Sequence, residues 1–253
     1  PEQTKVHYLL SQVLQAADRP DEAAAQRELF QRLSAAEKDL NQGNVYAGRQ
    51  DWANAIDAWH RALEANPDAI AAYLRISEAH LRLGQQAQAL KMLRAAVIID
   101  PDDLDVNCLL GEALLSVEEG EEALEIFQAA LRLDSRSTRA RHGLGRTLAT
   151  AGRTREAIDA FHQALDLDPD NAEVHYHLGI VYARLNRPTD AMVCFRQSAA
   201  ADESYGPAHL ALGLMLAESG ESAAARVSLQ KVLRLDPQND KARKRLALLD
   251  QQN

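Results

Sequence analysis

The chain has 253 residues, 46% of them hydrophobic and 5% aromatic, with 37 acidic against 28 basic side chains and a formal net charge of −9. This composition excludes a disordered chain, and the acidic balance excludes a general nucleic-acid binder, whose phosphate contacts need a basic surface. The 12 glycines and 8 prolines are too few for an all-β chain that turns every few residues.

No apolar run approaches a membrane span and no signal-peptide pattern is present, so membrane insertion is not expected. The chain starts at Pro1 without a methionine, which reads as a cut or processed form and leaves open the loss of a targeting segment. Cys108 and Cys194 supply neither a disulfide framework nor a zinc site. They suit the reducing cytoplasm, with the periplasm open if a signal segment was removed. Oligomeric state is not legible.

In chain order, residues 1–35 contain "VHYLLSQVLQAADRPDEAAAQRELFQRL", a helical hairpin broken at Asp18-Arg19-Pro20. From residue 36 a 34-residue period takes over. Pro67, Pro101, Pro169 and Pro237 keep it, with Ser135 and Glu203 at the skipped beats. Gly43, Ser77, Gly111, Gly145, Gly179 and Gly213 form a small column. Ala55, Ala89, Ala123, Ala157, Ala191 and Ala225 form an alanine column; Trp59, Leu93, Phe127, Phe161, Phe195 and Leu229 form a large apolar one. Six copies therefore start near 36, 70, 104, 138, 172 and 206, and residues 1–35 read as a degenerate first copy.

Each copy reads as two helices. Gly84, Gly152, Gly220 and Asn186 sit where a left-handed residue ends the first helix. The fourth copy has Glu118 there with Gly120 after it, so a slightly longer helix is expected. The proline stops the second helix, and Asp68, Asp102 or Asp170 is expected to cap the next. A single hairpin cannot bury its apolar face, so copies must stack. The junction near residues 198–207 should be the loosest, because Glu203 replaces the proline, Ala201 a leucine and Ser198 an alanine. Residues 239–253 ("NDKARKRLALLD") read as one capping helix with a charged outer face.

With "TRARHGLGRTLATAGRTREAIDAFHQALDLDP" and "AEVHYHLGIVYARLNRPTDAMVCFRQSAAAD" the chain resembles the tetratricopeptide repeats over most of its length. The resemblance implies an all-α solenoid of about fifteen helices in a right-handed superhelix, with first helices lining a concave groove that binds peptides. The packing residues leave one stripe of each first helix free. It carries Leu74, Arg75, Arg82 and Glu78; Asp105, Cys108, Leu109 and Glu112; Arg139, His142, Gly143 and Arg146. It continues through Glu173, Tyr176, His177, Ile180 and Arg184, then Leu210 and Leu214. The candidate peptide-binding residues are Arg75, Arg82, Arg139, His142, Arg146, Tyr176, His177, Ile180 and Arg184. They suit an acidic or amphipathic segment; the bland alternative is that the arginines merely pair with Asp105, Glu112 and Glu173.

Two specialised functions of the family do not fit residue by residue. Chaperone-tail binding in the family uses a lysine and an asparagine, then an asparagine, then a lysine and an arginine, where this chain has Leu40 and Asn44, then Arg75, then Asp105 and Leu109, so both lysines are absent. The asparagine ladder of the O-linked N-acetylglucosamine transferases is reduced to Asn41, with Arg75, Leu109, Gly143, His177 and Ala211 at the other rungs. No metalloprotease, thiol-redox, esterase or phosphate-loop motif occurs, and His175 and His177, two apart, lie on different sides of a helix. The expectation is a non-catalytic scaffold for a protein or peptide partner, without cofactor or metal. The alternative is a regulatory or substrate-recruiting arm of a larger enzyme, for example of glycosyltransferase type.

Overall fold

The structure, a computed structural model, describes residues 2–251. Every regular element among them is an α-helix, fourteen in all. The chain divides between Glu118 and Glu119 into two compact units. The first holds α1 (Glu2–Ala16), α2 (Pro20–Gly48), α3 (Trp52–Ala65), α4 (Ile70–Arg82), α5 (Gln86–Ile99) and α6 (Leu104–Ser116). The second holds α7 (Gly120–Leu133), α8 (Thr138–Thr150), α9 (Thr154–Leu167), α10 (Ala172–Arg184), α11 (Pro188–Ala201), α12 (Gly206–Glu218), α13 (Ser222–Leu235) and α14 (Asp240–Gln251). Within each unit, helices consecutive in the chain pack on one another, so hairpins stack in chain order.

The sequence period is the structural period. First helices open at 70, 104, 138, 172, 206 and 240, and second helices at 52, 86, 120, 154, 188 and 222, each step being 34 residues. All six column alanines are fully buried, and Trp59, Leu93, Phe127, Phe161, Phe195 and Leu229 are at most 1% exposed. The small column exists because a ring lies on it. A Cβ on Gly43 would stand 2.3 Å from the Trp59 indole, and one on Gly145 would stand 2.6 Å from the Phe161 ring. Close helix approach in these hairpins thus requires a residue without a side chain opposite an aromatic one.

The helix count falls one short of fifteen because α2 runs unbroken through residues 35 and 36. Leu33 stands where later copies have their proline, and no helix breaker separates Ala23 from Gln42. The N-terminal part of α2 therefore serves the first hairpin and its C-terminal part serves α3.

Left-handed residues recur at 50, 84, 118, 152, 186 and 220, with Asp18 ending α1 in the same way. Glu118 itself takes φ 63°, so α6 stops at Ser116 like its counterparts and Gly120 opens α7; the longer helix expected there does not form. The capping oxygens also differ from expectation. Asp103, Ser137, Asn171 and Asn239, one residue beyond the expected aspartates, accept from the amides of Val106, Ala140, Val174 and Ala242. A second device precedes the proline position: Asp100, Asp134, Asp202 and Asp236 accept from the amide two residues on, closing an Asx turn.

The junction of the sixth and seventh copies keeps the common helix lengths. Pro207 occupies the first turn of α12, Ser198 donates to the Ala172 carbonyl at 2.6 Å, and Ala208 is fully buried.

Candidate functional site

The stripe is best described unit by unit. In the first unit, Leu74, Leu81, Leu93 and Leu109 line a cavity of about 520 Å³ together with Arg75, Glu78 and Glu112. Its two basic residues are tied within their own helix. Arg75 and Arg82 both reach Glu78, at 3.4 and 2.9 Å, and Arg82 also lies over the Trp52 ring, 5.3 Å from its centroid. The two cations thus share one carboxylate a turn away on their own helix. Cys108, expected on this stripe, is fully buried. The thiol is a core filler there.

In the second unit the stripe is aromatic as well as basic. His142 of α8 is only 8% exposed. Its Nε2 lies 3.0 Å from His177 Nδ1 of α10, which is also 2.8 Å from the Glu173 carbonyl oxygen. A carbonyl can only accept, so His177 carries its proton on Nδ1, and that N–H is shared between the carbonyl and the unprotonated His142 Nε2. His142 is then the Nδ1–H tautomer, with Nδ1 3.8 Å from a Glu173 carboxylate oxygen. Burial, the His177 ring and Arg146 push His142 down to about 3; burial and Arg146, against the Glu173 carbonyl, bring His177 to about 4. Both rings are neutral at pH 7.

The rings continue outward. His177 meets the Tyr176 ring edge-on at 5.2 Å, and Tyr176 meets Tyr205 edge-on at 5.5 Å. Burial, with Glu173 and Tyr176 adding to it, holds the Tyr205 hydroxyl up at about 12, against the opposing pull of Arg146. Beyond Tyr176 a cavity of about 500 Å³ is lined by Ile180, Pro207, Leu210, Leu214 and Val232.

The expected site residues are therefore not equivalent. Tyr176, His177 and Ile180 lie together, with Arg146 half-buried within electrostatic range of both histidines and Tyr205. Arg146 and the exposed Arg184 pair with no carboxylate among the described residues, whereas the exposed Arg139 is already engaged. His142 lies under the stripe and supports His177. Gly143 does not belong to the groove at all: a Cβ there would stand 2.2 Å from the Phe127 ring, so it is a packing residue between α8 and α7. Tyr205 escapes sequence reasoning, although it stands one period after Asn171 in a column of Asp, Ser and Asn caps.

Among the described residues no cluster of three or more metal-binding side chains occurs, and no helix is long and apolar enough to cross a membrane. Burial and Asp190 push the Cys194 thiol up to about 11, which keeps it protonated.

Tetratricopeptide-repeat models match residues 5–28, 40–104, 108–154, 172–205 and 206–239, and a model described as a TPR repeat matches 145–186. No curated protein matches the chain in sequence. Among solved structures, a tetratricopeptide repeat protein from Parabacteroides merdae ATCC 43184 is 15% identical, with TM-score 0.72 over 99% of this chain and 100% of that one. PilW, described as a widely conserved type IV pilus biogenesis factor, is 20% identical with TM-score 0.70 over 83% and 97%. YrrB, described as a TPR protein with an unusual peptide-binding site, is 24% identical with TM-score 0.54 over 67% and 88%. The repeat models run from residue 40 to 239 with a break only at 105–107, in phase with the 34-residue step of the helices, and the chain belongs to the tetratricopeptide-repeat family.

Proposed function

We propose that the chain is a non-catalytic protein-interaction scaffold that holds a peptide carrying acidic and apolar residues against its first helices. The observation that carries this reading is the company of Arg146 and Arg184. Both are cations without an acid partner among the described residues; Arg146 acts on His177 and Tyr205 beside Tyr176, and Arg184 stands one turn after Ile180 on α10, in a chain of net charge −9. An acidic surface repels an acidic peptide elsewhere and leaves this patch as its landing place. Apolar side chains of the ligand enter the cavity beyond Tyr176. Arg75 and Arg82, which share the Glu78 carboxylate, are less free to take a ligand acid, and Arg75 lines a separate cavity in the first unit. Affinity should be on the order of micromolar, since a short peptide pays ordering entropy on binding.

The test is a random decapeptide array probed with the wild-type chain and with the Arg146→Glu/Arg184→Glu variant. The expected result is enrichment of Asp or Glu next to Leu, Ile or Phe, lost in the variant at unchanged melting temperature. Enrichment of basic peptides, or retention by the variant, overturns the reading.

A further inference from the structure

We propose that Arg146, His177 and the Tyr205 hydroxyl form a subsite for a carboxylate of the bound peptide, and that the carboxylate is taken up together with a proton from solvent. The inference rests on the peptide-scaffold reading and adds what the ligand's charged group meets.

The charge around Arg146 is unbalanced. Arg146 is half-buried and without a carboxylate partner among the described residues, and its charge is felt by His142, His177 and Tyr205. None of those three carries a balancing charge at pH 7. Glu173, the acid nearest the histidines, faces His142 Nδ1 at 3.8 Å and makes no ion pair with Arg146. A half-buried guanidinium without a counter-ion is a place where an arriving carboxylate makes strong, charge-assisted hydrogen bonds.

The place of the proton follows from the ring nitrogens. His177 Nδ1–H is committed to the Glu173 carbonyl and to His142 Nε2, so Nδ1 cannot accept. His142 Nε2 is occupied by that same N–H, and its Nδ1 already bears a proton. His177 Nε2 makes no hydrogen bond among the described residues and is the one ring nitrogen of the pair left to accept. In the free protein a proton on His177 Nε2 is opposed by burial and by Arg146; the Glu173 carboxylate faces the pair from 3.8 Å off His142 Nδ1, with Tyr176 and Tyr205 neutral beside it. A ligand carboxylate between Arg146 and His177 reverses that balance. It cancels the Arg146 repulsion and accepts from the new Nε2–H. Tyr205, held in its protonated form, donates as well. Charge and protons close: one carboxylate and one solvent proton enter, and no covalent bond is broken.

The consequence is binding that tightens about threefold as pH falls from 6 toward 4.5, where a His177 titration raised from about 4 by one unit takes up the proton, the reverse of what loss of ligand charge alone produces. The probe is N-acetyl-Leu-Leu-Asp, with its fully amidated Asn counterpart as the neutral control, on the full chain. Histidine ring resonances are followed by NMR between pH 7.5 and 3.5 with each probe and with acetate alone at matched ionic strength. The expected result is that the His177 titration rises by about one pH unit, a tenfold gain in proton affinity, with the acidic tripeptide only. The rise should vanish in Arg146→Gln and shrink in Tyr205→Phe, and calorimetry in two buffers of different ionisation heat should show net proton uptake. Binding that leaves the His177 titration unmoved overturns the subsite while the scaffold reading stands. If neither tripeptide nor acetate perturbs these resonances, the subsite is also overturned, and the scaffold reading then depends on the peptide array.

Discussion

His175 Nε2 donates to the carbonyl oxygen of Pro169, six residues earlier, at 2.8 Å. The same reach recurs in three other copies. Asn107 donates to Pro101 at 2.9 Å, Arg141 to Ser135 at 2.5 Å and His209 to Glu203 at 3.1 Å. Three kinds of donor, at four positions, thus bind the equivalent loop carbonyl, which the turn between copies leaves without a helical partner. The position needs a donor of suitable reach, not a particular residue.

Removing that donor should cost more than removing an average surface hydrogen bond, because His175 is buried and the freed carbonyl has no substitute. We expect His175→Ala to lower stability by about 1–3 kcal/mol. His175→Asn, which copies Asn107, should be close to neutral, since it also removes the partnerless buried Nδ1 of the imidazole. Urea denaturation of both variants checks this; equal losses would mean the ring's packing matters and its bond does not.

Gln50 offers the opposite case. Its φ of 61° places a side-chain-bearing residue where Gly84, Gly152 and Gly220 stand in other copies. The left-handed conformation costs a non-glycine residue about 1 kcal/mol, and the exposed Gln50 side chain makes no hydrogen bond that offsets it. Gln50→Gly should therefore raise the melting temperature, whereas Gly84→Gln should lower it by a similar amount.

The helical period, the buried columns and the left-handed glycines are legible in the sequence because every copy must bury the same contacts. The turn reads one residue early. Pro-Asp looks like a stop followed by a cap, but the cap is the next residue, a column that changes from Asp103 to Ser137 to Asn171 to Tyr205. A changing column hides from a search for identical letters. The site divides in the same way. That Arg139, His142 and Arg146 share a face follows from spacing alone. That His142 closes on His177 is a tertiary fact, since the two lie 35 residues apart on different helices. The pairing of Arg75 and Arg82 with Glu78, at spacings of three and four, is open to sequence reasoning, although the expectation placed their acids on neighbouring helices.

The small column makes a prediction about pairs. Gly145 faces Phe161, whereas in the third copy Ser77 stands with Leu93 in the corresponding columns. Gly145→Ala places a methyl 2.6 Å from the Phe161 ring and should cost about 1–3 kcal/mol by overpacking. In a Phe161→Leu background the same change should cost clearly less, because the smaller side chain recreates the Ser77–Leu93 arrangement. A double-mutant cycle reads the coupling; strictly additive costs would show that Gly145 is small for some other reason.

The histidine pair makes stability depend on pH in a defined window. In the unfolded chain His142 and His177 titrate near the ordinary histidine value of 6.5, but in the fold they stay neutral down to about 3 and about 4. Between those limits the unfolded state binds more protons, so acid favours unfolding. Stability is fully present above about pH 6.5, declines as pH falls and levels off only below the folded values. At pH 5 each ring should have cost about 2 kcal/mol, because every pH unit below 6.5 in which only the unfolded chain takes up the proton costs about 1.36 kcal/mol. Glu37, Glu156 and Asp202 have carboxyls held below their usual range and add their own acid sensitivity only at lower pH. The interval from pH 7 to 5 therefore isolates the histidines. Melting temperatures of the wild type should fall across it, and those of His142→Asn/His177→Asn should fall much less, from a lower starting point. A wild-type profile flat over this interval would mean that the rings accept protons in the fold as readily as outside it, and that water reaches both.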